Sequence, residues 1–475
     1  MAYNLFRYCF SYPKLVHILR TVPPHISSKA LIPLSLEYRG LIESLVGSSI
    51  SDSAFIQCTL GVNVGGLGLR NPVEHAYAGY LASINKCAPH VEKLLRRPCL
   101  VKKFWNSAEI ALNALNALIL SQDRIPLAMI KSNTIKQFEI SARIDKKDLT
   151  KLYSEAPLID TLRLRSLQDP HSSDWLSVIP NPKLGLSFSP NEFRKALKLR
   201  LGVDVVEKSF SCPSCHKIFD CQGIHALNCA GSGDRIRRHN LLRDEFYSKA
   251  SLAMCSPTCE KAGLIEGTKE RPADVLLPKF SRGFDYFLDF AVTNPLSHYM
   301  ISEHTKTGRD ACDIYTDIKL NRYSDKLPNP ESVRFQPMVV DAFGKWESSA
   351  KEVINTVASR PAARNRTDIN TTLRHFYQKL SVVLMKSNTR SVLSRIPMVD
   401  FERTKVLPPH SRRLAFSKTI YFHPRPSSST SHLVPCRPTS TKDTTSLALP
   451  SASVVKILGP IAKDNSSVST NLNAS

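Results

Sequence analysis

Four residues within one short stretch have the types and spacing of a metal site. Cys212 and Cys215 are two residues apart, nine residues follow, and His225 and Cys229 are then separated by three. A Cys-x2-Cys turn presents two thiolates to one ion, and a later His/Cys pair completes a tetrahedron. Gly223 suits the tight return between the pairs. Cys221 competes as a ligand, either replacing His225 or remaining a buried thiol. Four protein ligands leave no open position, so zinc here is expected to be structural. Cys255 and Cys259 have no second pair and are expected to pack in the core. The other cysteines of the 12 are dispersed, and no export signal is visible, so the cluster reads as metal-binding before disulfide and implies a reducing compartment.

A second group carries carboxylates. Asp274 and Asp289 interrupt two apolar, strand-prone runs, Ala273 to Leu277 and Tyr286 to Val292, joined by a connection from Lys279 to Gly283. A carboxylate within a strand is costly unless it is paired or coordinates a cation. With Glu260 preceding them, these acids could form an oxygen cage for Mg²⁺, which would lower the pKa of a bound water and neutralise phosphoryl charge. Two surface aspartates on edge strands are the plain alternative.

Positioning these groups requires particular elements. Asp234 to Ala250 reads as a helix after Gly231-Ser232-Gly233, with Asp234 as N-cap. On a helical wheel His239 falls beside Phe246 and Ala250, as either a core histidine or one facing an internal site, whereas Arg237 and Arg238 point away. Upstream, Ala76–Ile84 and Ile110–Leu120 repeat apolar residues at three- and four-residue intervals, punctuated by Pro23-Pro24 and Pro72, and predict helices. Beyond about Asp400 the chain fills with Ser, Thr and Pro and is expected to be disordered.

The formal charge is +23, which favours polyanionic partners and salt-sensitive binding, although other basic proteins carry such charge too. Hydrophobic residues at 42% are ordinary for packed cores. The longest apolar stretch is interrupted by Asn113 and Asn116, and no membrane partner is expected.

The order Cys-x2-Cys…His…Cys, Arg238-His239-Asn240, Arg271-Pro272-Ala273-Asp274 and Asp289 resembles the C-terminal part of site-specific non-LTR retrotransposon polyproteins. These end in a zinc knuckle and a PD-(D/E)xK, restriction-like endonuclease. Leu15 to Arg20 and Gly65-Gly66-Leu67-Gly68-Leu69-Arg70 resemble the segments after the polymerase palm. Asp317 to Tyr323 and Phe335 to Gly344 resemble blocks after the nuclease core, so that the likeness covers roughly Leu15 to Arg395.

The resemblance implies an α+β multidomain chain: a helical thumb/linker-like region at 1–199, a CCHC zinc knuckle at 200–232, an α/β restriction-endonuclease-like domain at 233–398 and a disordered tail at 399–475. It assigns Asp274 and Asp289 to catalytic Mg²⁺, makes Glu260 a third carboxylate and turns His239 toward the site. Arg237 and Arg238 are expected on nucleic acid, and the expected partners are DNA and element RNA in the nucleus. The general pattern places a lysine two residues after the second acid; Ala291 stands there, and Lys319 is the expected substitute, stabilising phosphorane charge or orienting water. No Asp-Asp dipeptide occurs, and Met1 lies beyond the expected palm, so no polymerase activity is expected. Two rival readings are a retroelement remnant that binds zinc and nucleic acid without cutting, and a domesticated host protein.

Overall fold

Proline and glycine set the ends of the N-terminal helices. Pro24 and Pro72 open the helices Pro24–Val46 and Pro72–Leu95, where a missing N–H costs nothing and φ is already helical. The computed structural model describes residues 1–261, 271–323, 326 and 331–397, and up to Leu201 these form helices joined by turns and loops, with no strand. The Ser/Thr/Pro-rich tail at 399–475 lies outside the described residues. The two periodic stretches fall in Pro72–Leu95 and Pro98–Leu118, and Leu81, Ile84, Leu112 and Leu115 meet Ile140 and Ile144 of the Gln137–Glu155 helix in one apolar cluster.

The glycine-rich segment before Arg70 is a tight turn, and packing explains its composition. A Cβ on Gly66 would sit 2.1 Å from the Leu60 carbonyl oxygen. Arg200 donates to the Gly66 carbonyl at 3.0 Å, Gln57 to that of Gly65 at 3.0 Å, and Leu67 and Leu69 are fully buried. The Gly66→Ala chain should lose about 3 kcal/mol, since backbone cannot yield as a side chain does. Gly40→Ala, with open space around an exposed helical glycine, should gain about 0.5–1 kcal/mol. Denaturant midpoints of the two variants moving together would contradict this packing.

After Gly202 the chain forms two sheets. β1 (Phe210–Ser211) and β2 (Ile218–Phe219) make a small hairpin. β3 (Thr258–Cys259), β4 (Val275–Ser281), β5 (Phe284–Thr293) and β6 (Val333–Asp341) form a mixed sheet in that order, antiparallel except for the parallel β5–β6 pair. The β4–β5 connection is tighter than the expected Lys279–Gly283 loop. Arg282 and Gly283 both have positive φ, 50° and 82°, the signature of a two-residue turn, and Lys279 falls within the strand at an irregularity.

The two faces of β5 have different neighbours, which decides the site. Leu288 and Phe290 join the main core, with Phe290 against Phe246 of the Asp234–Leu252 helix. Ala291 packs with Cys312 of the Ala311–Tyr323 helix and Val339. Asp289 shares the Ala291 face, because strand side chains alternate.

The fold is mixed α/β and predominantly helical, with a small sheet. Packing crosses the expected boundaries at 199 and 233. One apolar cluster joins Tyr3, Tyr38, Ile42 and Trp175 to Val275, Leu288, Met338 and Tyr377, and the described residues fall in one compact unit. The Ile369–Leu393 helix explains this, since it packs against Pro190–Leu201, Asp234–Leu252 and Ser348–Asn365 together.

Candidate functional site

The ligand atoms of Cys212, Cys215, His225 and Cys229 lie within 4.8 Å of one another. Local turns produce this. His216, with φ of 61°, closes the Cys-x2-Cys turn by donating its N–H to the Cys212 carbonyl at 2.8 Å. Gly223, with φ of 75°, opens the short helix Ile224–Asn228, and Asp220 accepts from the Ile224 and His225 amides at 2.9 and 2.7 Å. His225 Nε2 thereby comes to 3.3 Å from Cys215 Sγ, and Cys212 and Cys229 sulfurs lie 3.9 Å apart. Cys221 is excluded, its sulfur directed to Ser209 Oγ at 3.4 Å. Of the other pair, Cys255 is buried as expected but Cys259 is exposed on the edge strand β3.

The electrostatics suit a metal. Burial and the nearby Arg395 charge hold His225 below its ordinary pKa, in the neutral form that coordinates. Burial pushes the Cys229 thiol up, but the Gly231 N–H, Arg395 and Cys215 more than offset it and leave it lowered. The cluster is able to bind a metal ion and is compatible with zinc.

Some way along the chain, a cleft of about 530 Å³ opens beside the Asp234–Leu252 helix, lined by Arg235, His239, Arg243, Glu260, Tyr315 and Lys319 among others. Asp274 and Asp289 are not among the lining residues but each contacts one that is, His239 and Lys319 respectively. Val275 pairs with Leu288, so Asp274, just before β4, lies across from Asp289. His239 Nε2 is 3.2 Å from Asp274 Oδ1, and the Phe290 N–H donates to Asp274 Oδ2 at 2.6 Å. Lys319 Nζ is 2.8 Å from Asp289 Oδ2, and no other donor among the described residues reaches that buried oxygen. The two acids therefore sit in different environments. Burial raises the Asp289 carboxyl to about 6 despite Lys319. Burial also works on Asp274, but His239, the Phe290 amide and Lys319 outweigh it and hold that carboxyl low.

His239 and Lys319 are thus brought to the acids, and Ala291, with its small side chain on the Asp289 face, stands beside the helix that carries Lys319. Glu260 behaves differently from the expectation of a third metal carboxylate. Its amide bonds the Asp274 carbonyl at 3.0 Å, but its side chain turns to Arg243 and, at 2.9 Å, to Arg271. Among the described residues only the cysteine–histidine group gathers three or more metal-ligand side chains.

The helix itself needs two corrections. Its N-cap is Gly233, with Asp234 inside the first turn and buried. Arg238 does not point away: it is 3% exposed and donates to Asn388 Oδ1 at 2.7 Å and to the Leu227 carbonyl at 2.9 Å. The buried row is the i,i+4 series Asp234, Arg238, Leu242, Phe246 and Ala250, which meets the Ile369–Leu393 helix. The wheel, centred on Phe246 and Ala250, missed where this inclined row ends. Arg237 is exposed as expected. Arg238→Ala should therefore cost about 2–4 kcal/mol by stranding buried acceptors, while Arg237→Ala should leave stability within about 0.5 kcal/mol and weaken polyanion binding. Equal denaturation midpoints would contradict the buried assignment.

Arg235, Arg243 and Tyr315 escaped the sequence reading, although a signal existed. Arg243 follows His239 by four residues, Arg235 precedes it by four, and Tyr315 precedes Lys319 by four, so each shares its partner's helix face. No protein-family model and no curated protein matches the chain. No described helix is long and apolar enough to cross a membrane.

Proposed function

We propose that this chain is a metal-dependent DNA endonuclease module that nicks duplex DNA, of the kind found at the C-terminal end of non-LTR retrotransposon polyproteins, and that it has no polymerase activity of its own. The observation that carries this reading is the pairing of Asp274 with His239 and of Asp289 with Lys319, across adjacent strands, at a cleft rich in arginine. The mixed sheet with its parallel β5–β6 pair, and a Cys3His cluster upstream of it, fit the same architecture: helical thumb/linker, zinc knuckle, nuclease.

In this reading Asp274 and Asp289 offer carboxylate oxygens to Mg²⁺. When bound, the ion supplies an activated water and charge neutralisation at the scissile phosphate. His239 fixes the orientation of Asp274 through its 3.2 Å contact. Lys319 keeps Asp289 charge-compensated and carries a cation to the place where phosphorane charge develops. Arg235 attracts the backbone and Arg237 adds to the basic exterior, while Arg243 is held by Asp244 and Glu260. Zinc in the Cys212 cluster is structural, because four protein ligands close its coordination. DNA, with element RNA as a second polyanion, is the partner, and the nucleus is the place of action.

A second reading has support of its own. Ala291 replaces the usual lysine, and Glu260 is engaged by Arg243 and Arg271, which leaves two carboxylates rather than three. A module that grips DNA without cutting would have this composition. The test uses supercoiled plasmid with Mg²⁺ or Mn²⁺, comparing the unmutated protein with Asp274→Ala purified identically. Nicking by the first alone supports the nuclease; equal nicking by both marks contamination, and tight binding with no nicking supports the binding module.

A further inference from the structure

Glu260 sets one carboxylate oxygen on each of two guanidiniums: Oε1 accepts from Arg243 Nη1, and Oε2 from Arg271 Nη1 at 2.9 Å. A backbone phosphate offers two oxygens to guanidinium donors in the same way, so this carboxylate imitates one. Arg243 is fixed for that role. Its Nε and Nη2 both meet Asp244 Oδ1, at 2.9 and 2.8 Å, and its Nη1 is left for Glu260. Arg243 and Glu260 also line the cleft. Arg243 follows His239 by four residues, about 6 Å along the same helix face, and His239 contacts Asp274. The pair of arginines therefore lies about one helical turn from the paired acids. The backbone at Glu260 is unusual as well. Its φ is 45°, a left-handed conformation that is unfavourable for a residue with a Cβ, and its amide donates to the Asp274 carbonyl at 3.0 Å. Such conformations persist where the surroundings hold them, and they gather at functional sites. The ion pairs themselves are exchangeable, since the side chains of Glu260 and Arg271 are 43% and 55% exposed and pairs in water hold weakly.

We propose that Arg243 and Arg271 form a subsite for a phosphodiester of the DNA backbone, and that the Glu260 carboxylate occupies it in the free protein, so that DNA seats there by displacing Glu260. The subsite lies beside the paired acids rather than on them, and it takes a phosphate next to the one they face. Glu260 is tethered to its arginines and holds them when no DNA is present. A strand overcomes that advantage by releasing counterions and by contacting Arg235 at the far end of the same helix face. A lone anion makes neither gain. The internal carboxylate thus lowers affinity for isolated charges and favours a strand that fills several contacts together. The inference rests on reading DNA as the ligand of this cleft; it requires neither that Glu260 bind a metal nor that the cleft cut.

The test follows binding of a fluorescently labelled DNA duplex to the full chain by anisotropy, without added Mg²⁺ and over a range of salt. Glu260→Gln should tighten binding about 3–10-fold at moderate salt, because two exposed ion pairs no longer have to be broken. Arg271→Ala should weaken binding and lower the slope of log K against log salt by about 0.9, the share of one phosphate contact. Removing any acid also lessens repulsion of DNA, so the gain alone does not decide the matter. The two explanations part in an Arg243→Ala/Arg271→Ala background. With the subsite gone, Glu260→Gln should lose most of its gain, whereas plain repulsion would leave the gain whole. If that background does not fold, since Arg243 is largely buried, Arg271→Ala alone replaces it and the gain should still shrink. No gain from Glu260→Gln, or a gain undiminished in the arginine background, overturns the proposal. Absence of DNA binding by every form removes the DNA reading of the cleft and the subsite with it. A gain that behaves as expected in a chain that never nicks plasmid sinks the nuclease and leaves the subsite intact.

Discussion

Replacing Asp274 or Asp289 with alanine should lower plasmid nicking by at least about 10³-fold, because a metal's contribution to phosphoryl chemistry is several kcal/mol and each 1.36 kcal/mol is tenfold in rate. The two variants should differ in stability. Asp274 is held below its ordinary pKa, so its ionised form stabilises the fold above the unfolded pKa, and that contribution is lost as pH falls. Its removal should lower the melting temperature at neutral pH. Asp289 is raised to about 6, so its ionisation opposes folding, with the penalty absent at low pH and complete above that value. Asp289→Ala should therefore leave neutral-pH stability nearly unchanged, the relief of a buried charge being offset by an unpaired Lys319. Simple relief of repulsion between two acids would stabilise both variants alike, and does not describe a site where each acid has its own basic partner.

The same geometry fixes a pH profile. Below about 6 a metal must displace a proton from Asp289, and apparent Mn²⁺ affinity should fall about tenfold per pH unit. Lys319→Ala removes the opposing charge, so the fall should begin at higher pH, while the nicking rate drops and DNA binding persists. Titration of Mn²⁺ by electron paramagnetic resonance, alongside nicking rates, checks both. A Mn²⁺ affinity that is flat from pH 5 to 8 would show that Asp289 is not a ligand.

Removing the metal from the cysteine cluster should have the other large effect. Structural zinc contributes on the order of 10 kcal/mol, comparable to the whole margin of stability of a domain. The cluster is not a loosely attached appendage: Cys212, Phe219, Leu227 and Cys229 are buried with Val205, Ala342 and Val392 in one apolar group, so loss of the ion exposes surface shared with the last described helix. Chelation, Cys212→Ser or His225→Ala should therefore lower the melting temperature by well over ten degrees, since ~1 kcal/mol already shifts it by a few degrees in a domain of this size. Cys221→Ser should retain one zinc per chain and melt normally, because its sulfur faces Ser209 instead. Metal analysis that finds no zinc in the unmutated protein would remove the site. Retention by Cys212→Ser with loss from Cys221→Ser would reassign the ligands.

Short-range physics made much of this legible in the chain itself. The spacing of Cys212, Cys215, His225 and Cys229 specifies a turn and a short helix, and both are set by a few adjacent hydrogen bonds. Asp274 and Asp289, unusual inside apolar runs, marked adjacent strands, and the 3.6-residue rhythm marked the N-terminal helices. These features depend on contacts a few residues apart, which composition and periodicity encode directly. Three choices were open to the sequence and settled by packing. His225 rather than Cys221 joins the cluster because Asp220 caps the helix that turns its ring inward. His239 meets a carboxylate rather than the apolar core because β4 and β5 bring Asp274 to it. Lys319 reaches Asp289 because strand alternation puts Asp289 and Ala291 on the face that the Ala311–Tyr323 helix covers. What the sequence could not indicate was the burial of Arg238 and Arg395, the turning of Glu260 toward Arg243 and Arg271, and the one apolar cluster that spans the helical region and the sheet. Arg238 and Arg395 find partners 150 and 161 residues away, and even Glu260 turns to partners 17 and 11 residues away, beyond the reach of local periodicity. A long charged side chain is identical in sequence whether its end meets water or a buried acceptor, and only the assembled fold supplies that acceptor.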